Sequence, residues 1–446
     1  MANSTSLFTI QTVPMYAHVH RLGHFFVTTV ETGYQLLVFV FLPVGILGML
    51  PGQLSEVVAG KLVMEHADRL RTDLSYQIWR LHQTTNKDGI QTNELRQFAW
   101  PWVWRSKLRL YGIDAKIMVV SRLATMQKSD PDGLAAKQQI FGLGDTQIAM
   151  DYQFQRRPRS LGNWYLGVGL SLPTGKSQLQ PTQADLANQF YSEILNFKVS
   201  RLGEGFNVNG SLFATHKFDV LQLAIGGNYL AKGQYQVLPE KIYNPGNELQ
   251  FQMVTLWQGQ IAGWQNSFGV RGYSPDRFDQ QIWFQQGIEV VTNSLLTFRF
   301  PKGQIFIEQQ LTHRLKNRQL EGQQFGLQLR NTNNNLRRSA FGGQYRVSPV
   351  TQVKLQYERL FTLPNENKRG RSTISSTSFE TAIQFQDHLW TNFGIGFGRG
   401  KIVPIDYQQP ETESLAGNPD GLENRIQLNG FSFWIGLRQQ GIFNSD

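Results

Sequence analysis

Residues 167–177, which read GVGLSLPTGKS, place glycine, lysine and serine near the spacing of a phosphate-binding loop. A P-loop needs Gly-x4-Gly-Lys-Ser/Thr at the turn from a buried strand into a helix, because backbone N–H groups at the helix start hold the phosphates. Five residues, not four, separate Gly169 from Gly175, and the polar segment after Ser177 starts no apolar-periodic helix. We therefore do not predict nucleotide binding.

Metal and nucleophile chemistry also lack the necessary spacing. None of the eight histidines lies in a His-Glu-x-x-His or similar ligand pattern, and the lack of cysteine excludes thiolate metal sites, disulfides and a Cys nucleophile. Ser211 and His216 are the nearest candidate pair for general-base chemistry, but five residues along a strand put them on opposite faces. The sequence predicts no enzyme, no metal site and no cofactor.

Strands must position the polar groups, because period-two alternation dominates the chain from about residue 105 onward. In residues 147–155, for example, Ile148, Met150, Tyr152 and Phe154 share one face, and the opposite face is Ala, Asp and three Gln. The same division into an apolar and a polar face recurs in residues 164–172, 221–229, 352–358, 379–386 and 431–438.

Short and long connections alternate between these segments, as in a barrel with short periplasmic turns and longer external loops. The short connections include residues 347–350 and 386–388, and the long ones include residues 361–375 and 400–425. The tight turn at residues 216–219, followed by the long connection after Leu230, breaks this parity in the sequence.

The two faces distinguish a membrane barrel from a soluble sandwich. A soluble sheet is charged on its outer face, whereas the polar face here is mainly Gln, Asn, Ser, Gly and Ala. Only 17% of all residues are charged, against about 25% in soluble domains. Lipid against the apolar face forces the sheet to close, because an open strand edge cannot be hydrated in hydrocarbon. The sequence predicts an all-β transmembrane antiparallel β-barrel of about twelve to sixteen strands in the bacterial outer membrane.

Three regions are predicted along the chain. Residues 1–60 contain an apolar run at 36–50 that is too short for a transmembrane helix and is typical of a secretory signal. An uncleaved inner-membrane anchor and a buried core helix are the alternatives for this run. Residues 61–104 are predicted to be a periplasmic or plug-like segment, and residues 105–446 to be the barrel. The WPWVW sequence at 100–104 suits either a headgroup anchor or a plug.

Tryptophan near strand ends is typical of the aromatic girdles of membrane barrels. An ordinary strand or core position is the alternative interpretation for each such residue. Six tryptophans qualify as girdle candidates by position: Trp164, Trp257, Trp264, Trp283, Trp390 and Trp434.

Ionisable residues on the predicted inner face are the candidate pore lining, because charges at membrane depth face water or one another. They are Asp151, Glu308, Arg330, Arg346, Lys354, Glu358 and Glu380. The alternative is a salt-bridge network that only fills and closes the lumen. The net charge is +10, without a dense Lys/Arg run of the kind that binds nucleic acid. This balance indicates weak anion preference, or contact with outer-membrane lipid and lipopolysaccharide.

Two stretches resemble a known family. Residues 141–155, FGLGDTQIAMDYQFQ, and residues 161–178, LGNWYLGVGLSLPTGKSQ, are similar to the bacterial outer-membrane barrels named for the MetA pathway of phenol degradation. That family carries a Gly-Leu/Ile-Gly-Asp strand opening and then a Gly-x-Gly-x-x-Leu-Pro-Thr-Gly strand ending. The resemblance implies an outer-membrane channel or carrier, associated by name with uptake of aromatic compounds. The matching positions are Gly142, Gly144, Asp145, Pro173 and Gly175.

These observations predict an outer-membrane channel or carrier for small molecules, with hydrophobic or aromatic compounds as candidate permeants. A structural or surface-interaction barrel without transport is the first alternative, and an outer-membrane barrel enzyme is the second. The sequence leaves the permeant and the oligomeric state open.

Overall fold

The computed structural model describes residues 68–85, 89–110, 113–129, 138–154, 162–190, 195, 197–199, 202–238, 240–321, 324–328, 331, 333–364, 372–402 and 426–440. The predicted targeting segment at residues 1–60 and the candidate Arg330 lie outside these ranges. Among the helical residues that the structure describes, none belongs to a helix long and apolar enough to cross a membrane.

The described chain is almost entirely β-structure, with one helix. In chain order the elements are β1 (Asp68–Thr85), β2 (Gly89–Leu110), β3 (Ile113–Ser129), β4 (Gln138–Leu143), β5 (Thr146–Phe154), β6 (Asn163–Leu172), α1 (Pro181–Phe190), β7 (Asn207–Phe218), β8 (Leu221–Lys232), β9 (Tyr235–Leu238), β10 (Lys241–Asn244), β11 (Glu248–Gln258), β12 (Ala262–Tyr273), β13 (Asp276–Phe278), β14 (Gln281–Gln285), β15 (Glu289–Phe300), β16 (Gly303–Arg314), β17 (Arg318–Glu321), β18 (Gln324–Leu327), β19 (Asn334–Ser348), β20 (Thr351–Pro364), β21 (Ser372–Gln386), β22 (Leu389–Ile402) and β23 (Ile426–Gln440).

The large sheet closes on itself as an antiparallel barrel. Each long strand pairs with its predecessor and its successor, and β23 pairs with β1, with Phe433 opposite Tyr76. Because β4 and β5 both pair with β3 as one interrupted strand, the barrel has sixteen strands. The predicted fold class is confirmed, at the upper end of the predicted strand number.

A β-bulge interrupts the strand formed by β4 and β5. Leu143 lies opposite Leu123 and Gln147 lies opposite Val120, so that three residues, 144–146, face two on β3. A bulge bends a strand and re-aims its side chains. Here the bulge holds the Gly144-Asp145 pair of the resemblance.

The boundary predicted at residue 104 is wrong, because the barrel already includes β1 and β2. Trp100 and Trp104 are 43% and 45% exposed on the outer face of β2, so these indoles face outward and do not belong to a plug. The two strands have 18 and 22 residues, whereas about ten residues span a membrane. Their polar and charged ends extend beyond the apolar band, and this masks the alternation in the sequence.

Short and long connections separate onto the two ends of the barrel. The end with short turns at residues 219–220, 301–302, 349–350 and 387–388 also carries the start of β1 and the end of β23. We call it the turn end and the opposite one the loop end. The parity break near Leu230 is absent from the structure, because the described part of the segment between β6 and β7 contains α1 and no strand.

Three long connections carry hairpins at the loop end, and together these form a second, six-stranded sheet in the order β18-β17-β14-β13-β10-β9. An exposed ion pair joins two of the hairpins, with Lys241 Nζ 2.8 Å from Asp279 Oδ2. This hydrogen bond lowers the pKa of Asp279 and raises the pKa of Lys241.

The outer barrel surface is apolar and the inner surface is mainly polar. Leu355 and Phe397 are both 57% exposed on the outside, whereas inward Gln252 and Asn228 are buried. A closed antiparallel barrel with an apolar exterior and one end of short turns is the architecture of bacterial outer-membrane proteins. The protein is a barrel of the bacterial outer membrane.

The tryptophan prediction holds for only part of the set. Trp164, Trp257 and Trp264 are exposed on the outer surface close to the turn end. Trp283 is exposed on β14 of the six-stranded sheet, away from the barrel wall. Trp390 and Trp434 are not girdle residues, because strand parity points both into the barrel, and Trp434 Nε1 donates to Glu380 Oε2 there.

Candidate functional site: the lumen and its inward loop

The connection between β6 and β7, residues 173–206, folds into the barrel, and we call its described part the inward loop. Its apolar side chains at Leu186, Phe190, Leu195, Phe197 and Val199 are buried in one cluster with the wall. That wall surface extends around the barrel from β21 through β23 and β1 to β4. A segment that contacts all these strands must lie inside. The wall residues are Trp79, Leu95, Ala99, Ala124, Met126, Ile140, Ile374 and Leu428.

Local sequence explains the shape of the inward loop. Pro181 begins α1, where its fixed φ suits the first helical position and its missing N–H costs nothing. Leu186 and Phe190 are four residues apart, so they project from the same face of the helix onto the wall. The chain then turns back, and the rings of Phe190 and Phe197 lie 4.4 Å apart between centroids.

Two glutamines of the wall satisfy the backbone of the returning arm. Gln97 Nε2 donates to Val199 O at 2.6 Å, and Val199 N donates to Gln97 Oε1 at 3.0 Å. Lys198 N donates to Gln77 Oε1 at 3.0 Å. Buried backbone groups must find partners, and these amides supply them where no neighbouring strand can.

Two of the five resemblance positions, Asp145 and Gly175, form a clasp at the base of the inward loop. Asp145 Oδ1 accepts from Gly175 N at 2.8 Å, and Asp145 Oδ2 accepts from Glu204 N at 2.6 Å. One carboxylate on the bulge therefore holds both ends of the loop. A Cβ on Gly175 would overlap Leu202 O, so the clasp requires glycine at this position.

The other resemblance positions shape the surroundings of this clasp. Pro173 follows the last residue of β6. A Cβ on Gly142 would lie 3.2 Å from Leu202 Cδ1, and one on Gly144 would lie 3.4 Å from the Arg122 backbone. These positions are about thirty residues apart in the sequence, and only the β5–β6 pairing reveals their common role.

Six of the seven predicted pore residues point into the barrel, and the seventh, Arg330, is outside the described ranges. Each of the six shares a strand face with buried inward residues, as period-two geometry requires. The structure does not bring all six into one cluster. The inward-facing six are Asp151, Glu308, Arg346, Lys354, Glu358 and Glu380.

Neighbouring strands supply partners for these charges. Arg338 Nη2 lies 2.7 Å from Glu358 Oε2. Asn293 Nδ2 donates to Glu308 Oε1 at 3.2 Å, and the Lys354 ammonium lies 5.7 Å from the centroid of the Phe306 ring. These inward charges on β16, β19 and β20 therefore have an ionic, amide or aromatic partner on a nearby strand.

Glycines on β22 allow an indole to lie against the wall. Gly394 is opposite both Glu380 and Trp434 in the register, and a Cβ on Gly394 would overlap the Trp434 ring. Trp434 Nε1 donates across β22 to Glu380 Oε2 at 3.2 Å. Arg438 Nη2 lies 3.5 Å from the other oxygen of the same carboxylate.

The inward loop contributes its own charge to this part of the wall. Lys198 is half-buried and interacts electrostatically with Asp73 and Glu380. Asp73 also accepts from Arg71 Nε at 2.9 Å. No local sequence pattern marks Lys198 or Asp73, because their proximity depends on the path of the inward loop.

A second buried network, which strand alternation alone does not reveal, lies at the loop end. Glu289 carboxylate oxygens lie 3.5 Å from Arg271 Nη1 and 3.7 Å from Arg314 Nη2, and Tyr273 Oη donates to Glu289 at 3.3 Å. The three charged residues are opposite one another on β12, β15 and β16. The sequence signal for this network was that Arg271, Glu289 and Arg314 each lie at the loop end of an alternating segment.

A second apolar surface of the lumen is separate from the cluster around the inward loop. Its residues lie on β2, β3, β5, β7, β8 and β11, and the buried Lys232–Glu248 ion pair joins β8 to β11 nearer the loop end. Tyr165 on β6 packs against this surface. The apolar wall consists of Val103, Met118, Val120, Ala149, Phe213, Ala224 and Val254. The lumen therefore combines this apolar wall with charged networks on several strands.

Metal and hydrolytic sites have little support in the structure. Among the described residues, no group of three or more His, Asp or Glu side chains could hold a metal ion. Ser211 is buried inside the barrel, whereas His216 lies on the opposite strand face with its ring 4.1 Å from that of Phe218. The two are separated as the sequence predicted.

Similar folds occur among solved outer-membrane proteins. OccK7 (OpdD) of Pseudomonas aeruginosa has 11% identity, a TM-score of 0.39 and coverage of 83% of this chain and 98% of its own. The anion-selective porin from Comamonas acidovorans has 9% identity and a TM-score of 0.35, and the match covers 84% of this chain and 100% of the porin. A FadL homologue of Pseudomonas aeruginosa has 8% identity and a TM-score of 0.38, and the match covers 83% of this chain and 90% of the homologue.

No protein-family model and no curated protein matches the chain. TM-scores this low carry no information about function, and the fold is established by the strand pairing of the chain itself. What the protein does must follow from the residues that line its lumen.

Proposed function

We propose that the protein is a channel or carrier that moves small molecules across the outer membrane. The observation that carries this proposal is the inward loop, which is clasped at its base and packed against the wall of a lumen that combines apolar surfaces with charged networks. A loop of this kind narrows the passage and sets what can pass it. We further propose that the six described inward charges line the path.

Hydrophobic or aromatic compounds are the permeants that we propose. The apolar wall offers Phe213 and Tyr165 inside the barrel, and Trp434 lies against glycines of β22 beside Glu380. Aromatic solutes gain from ring contacts on one side and from hydrogen-bonding groups such as Glu380 on the other. The motif resemblance to the phenol-degradation barrels supports the same class of compound.

Weak anion preference is proposed for the turn-end mouth. Lys116 on β3 interacts electrostatically with Lys107, Arg105 and Asp151. Three basic groups and one acid make this mouth positive, and rings of like charge select counter-ions in pores.

A structural barrel without transport is the second candidate. It is favoured by the ion pairs Arg338–Glu358 and Arg438–Glu380, which join different wall strands. These pairs would stabilise the wall whether or not a solute passes it.

Planar-bilayer recording of the purified protein tests the proposal. The full chain is compared with a variant in which a short Gly-Ser linker replaces residues 178–200. Transport predicts weakly anion-selective conductance that rises in the shortened variant. A matched control shortens the β13–β14 hairpin, which lies outside the barrel, and should leave conductance unchanged. If neither the full chain nor the loop-shortened variant conducts or shows solute-dependent current, the structural barrel is the better account.

A further inference from the structure

Basic side chains are concentrated on one side of the outer barrel surface. On β1, β2, β20 and β22 the outward positions are mainly apolar or aromatic from the turn end and then reach an arginine. On β22, for example, Phe393, Ile395 and Phe397 precede Arg399. We call the following six residues the basic patch: Arg80, Arg96, Arg337, Arg359, Arg399 and Lys401.

Strand register places members of the basic patch near one another. Arg359 is opposite Ser375, which is opposite Arg399, and Arg399 is opposite Asn429, which is opposite Arg80. Each arginine is therefore two strands from the next, or about 10 Å, because neighbouring strands lie about 4.8 Å apart. That separation allows one anionic headgroup to contact two of them.

The basic patch lies where the apolar band ends on the external side. Arg399 follows the turn-end residue Leu389 by ten positions, and Arg80 follows Leu70 by the same number. A strand rises about 3.3 Å per residue and tilts about 40°, so ten residues climb about 25 Å, the height of the apolar band. The loop end faces outward in such barrels. The patch therefore meets the headgroups of the outer leaflet.

Few acids neutralise the basic patch. Glu94 bridges Arg80, at 2.9 Å, and Arg96. No other acid among the described residues forms a salt bridge with the patch. The Arg359 guanidinium instead lies 4.3 Å from the centroid of the Phe361 ring. By contrast, the outward positions of β6 to β8, β11, β12, β15 and β16 contain no lysine or arginine.

We propose that the basic patch binds the phosphate groups of lipopolysaccharide at a fixed site on the barrel. Arginine forks pair with phosphate oxygens in bidentate geometry, and the acyl chains of the same molecule lie along Phe397, Ile78 and Trp100 below. Because the basic residues occur on one side of the outer surface only, the site lies on the side that extends from β19 through β23 and β1 to β2. This inference concerns the outer surface and is independent of solute transport.

Binding of lipopolysaccharide to the purified, folded barrel in detergent tests this site. The probe is a rough-type lipopolysaccharide with both lipid A phosphates, followed by native mass spectrometry at increasing salt. A triple variant, R80Q/R359Q/R399Q, is compared with a control of equal charge change, K217Q/R277Q/K302Q. The control residues are exposed but lie outside the patch. Heat-modifiable gel migration confirms that each variant is folded.

We expect affinity to fall about a hundredfold in the triple variant, since each basic residue near a charged membrane surface contributes about fivefold and three are removed. The control should bind like the unmodified protein, and dephosphorylated lipopolysaccharide should bind weakly to all three. Equal affinity for the triple variant and the control would overturn the proposal. So would equal binding of the dephosphorylated form, or full competition by phosphatidylglycerol, which would reduce the patch to a general anionic surface.

Discussion

Substitution of Asp145 by asparagine isolates the clasp at the base of the inward loop. The two side chains are nearly the same size, but only the carboxylate accepts on both oxygens. In the native clasp Gly175 N donates to one oxygen at 2.8 Å and Glu204 N donates to the other at 2.6 Å. Asparagine keeps one acceptor and turns an NH2 group toward the second backbone N–H.

The free energy lost in the D145N variant follows from these two hydrogen bonds. A hydrogen bond to a charged group contributes about 1.5–3 kcal/mol, and an unsatisfied buried donor adds to the loss. If the closed loop loses about 2 kcal/mol of stability, the population of the released loop rises about thirtyfold. Neither bond belongs to the backbone pairing between barrel strands, so the temperature of barrel unfolding should change little.

Thiol labelling measures this release directly, because the native chain has no cysteine. An A187C substitution places a thiol on α1 beside the buried cluster. We expect water-soluble maleimide to label this thiol about thirtyfold faster when D145N is added, in proportion to the released population. Single-channel records of D145N should show longer or more frequent open intervals.

A control substitution separates the clasp from charge loss alone. Asp219→Asn makes the same chemical change in the β7–β8 turn, where φ is 50° and asparagine is tolerated. It should leave both labelling and conductance unchanged. Equal labelling rates in D145N and D219N would show that Asp145 does not hold the loop.

Two further substitutions examine the lumen wall. Gly394→Val should displace the Trp434 ring from β22 into the lumen and lower conductance, because its Cβ would overlap that ring; unchanged conductance would contradict this geometry. Glu289→Gln should lower the unfolding temperature in heat-modifiability assays by removing about 3 kcal/mol of buried ion pairing with Arg271 and Arg314. Asp279→Asn, in the exposed pair, is its control, and equal shifts would argue against a structural network.

Much of the barrel can be predicted from the sequence, because alternation reports which side of a strand faces lipid. The tight turns at 349–350 and 387–388 and the two faces of β6 follow from local chemistry alone. The start of the barrel does not. In β1 and β2, Arg80 and Glu94 stand on the outward face beyond the apolar band, and this interrupts the period that would have revealed the strands.

The site was less predictable than the fold. Inward-facing charges such as Glu358 and Lys354 could be identified by parity, since each lies on the polar face of its own strand. The clasp could not be identified, although Asp145 and Gly175 were noticed as motif residues. Their contact depends on a bulge and on a long connection that turns inward, and both are tertiary outcomes with no local period.

The position of the inward loop also bears on the order of assembly. Its apolar cluster joins Trp79 on the first strand to Leu428 on the last, and these strands are far apart in the sequence but adjacent in the closed barrel. Contacts between distant segments form late, because the chain between them must first be confined. The inward loop therefore lies across the seam from within, where its complete packing surface exists only after the first and last strands have met.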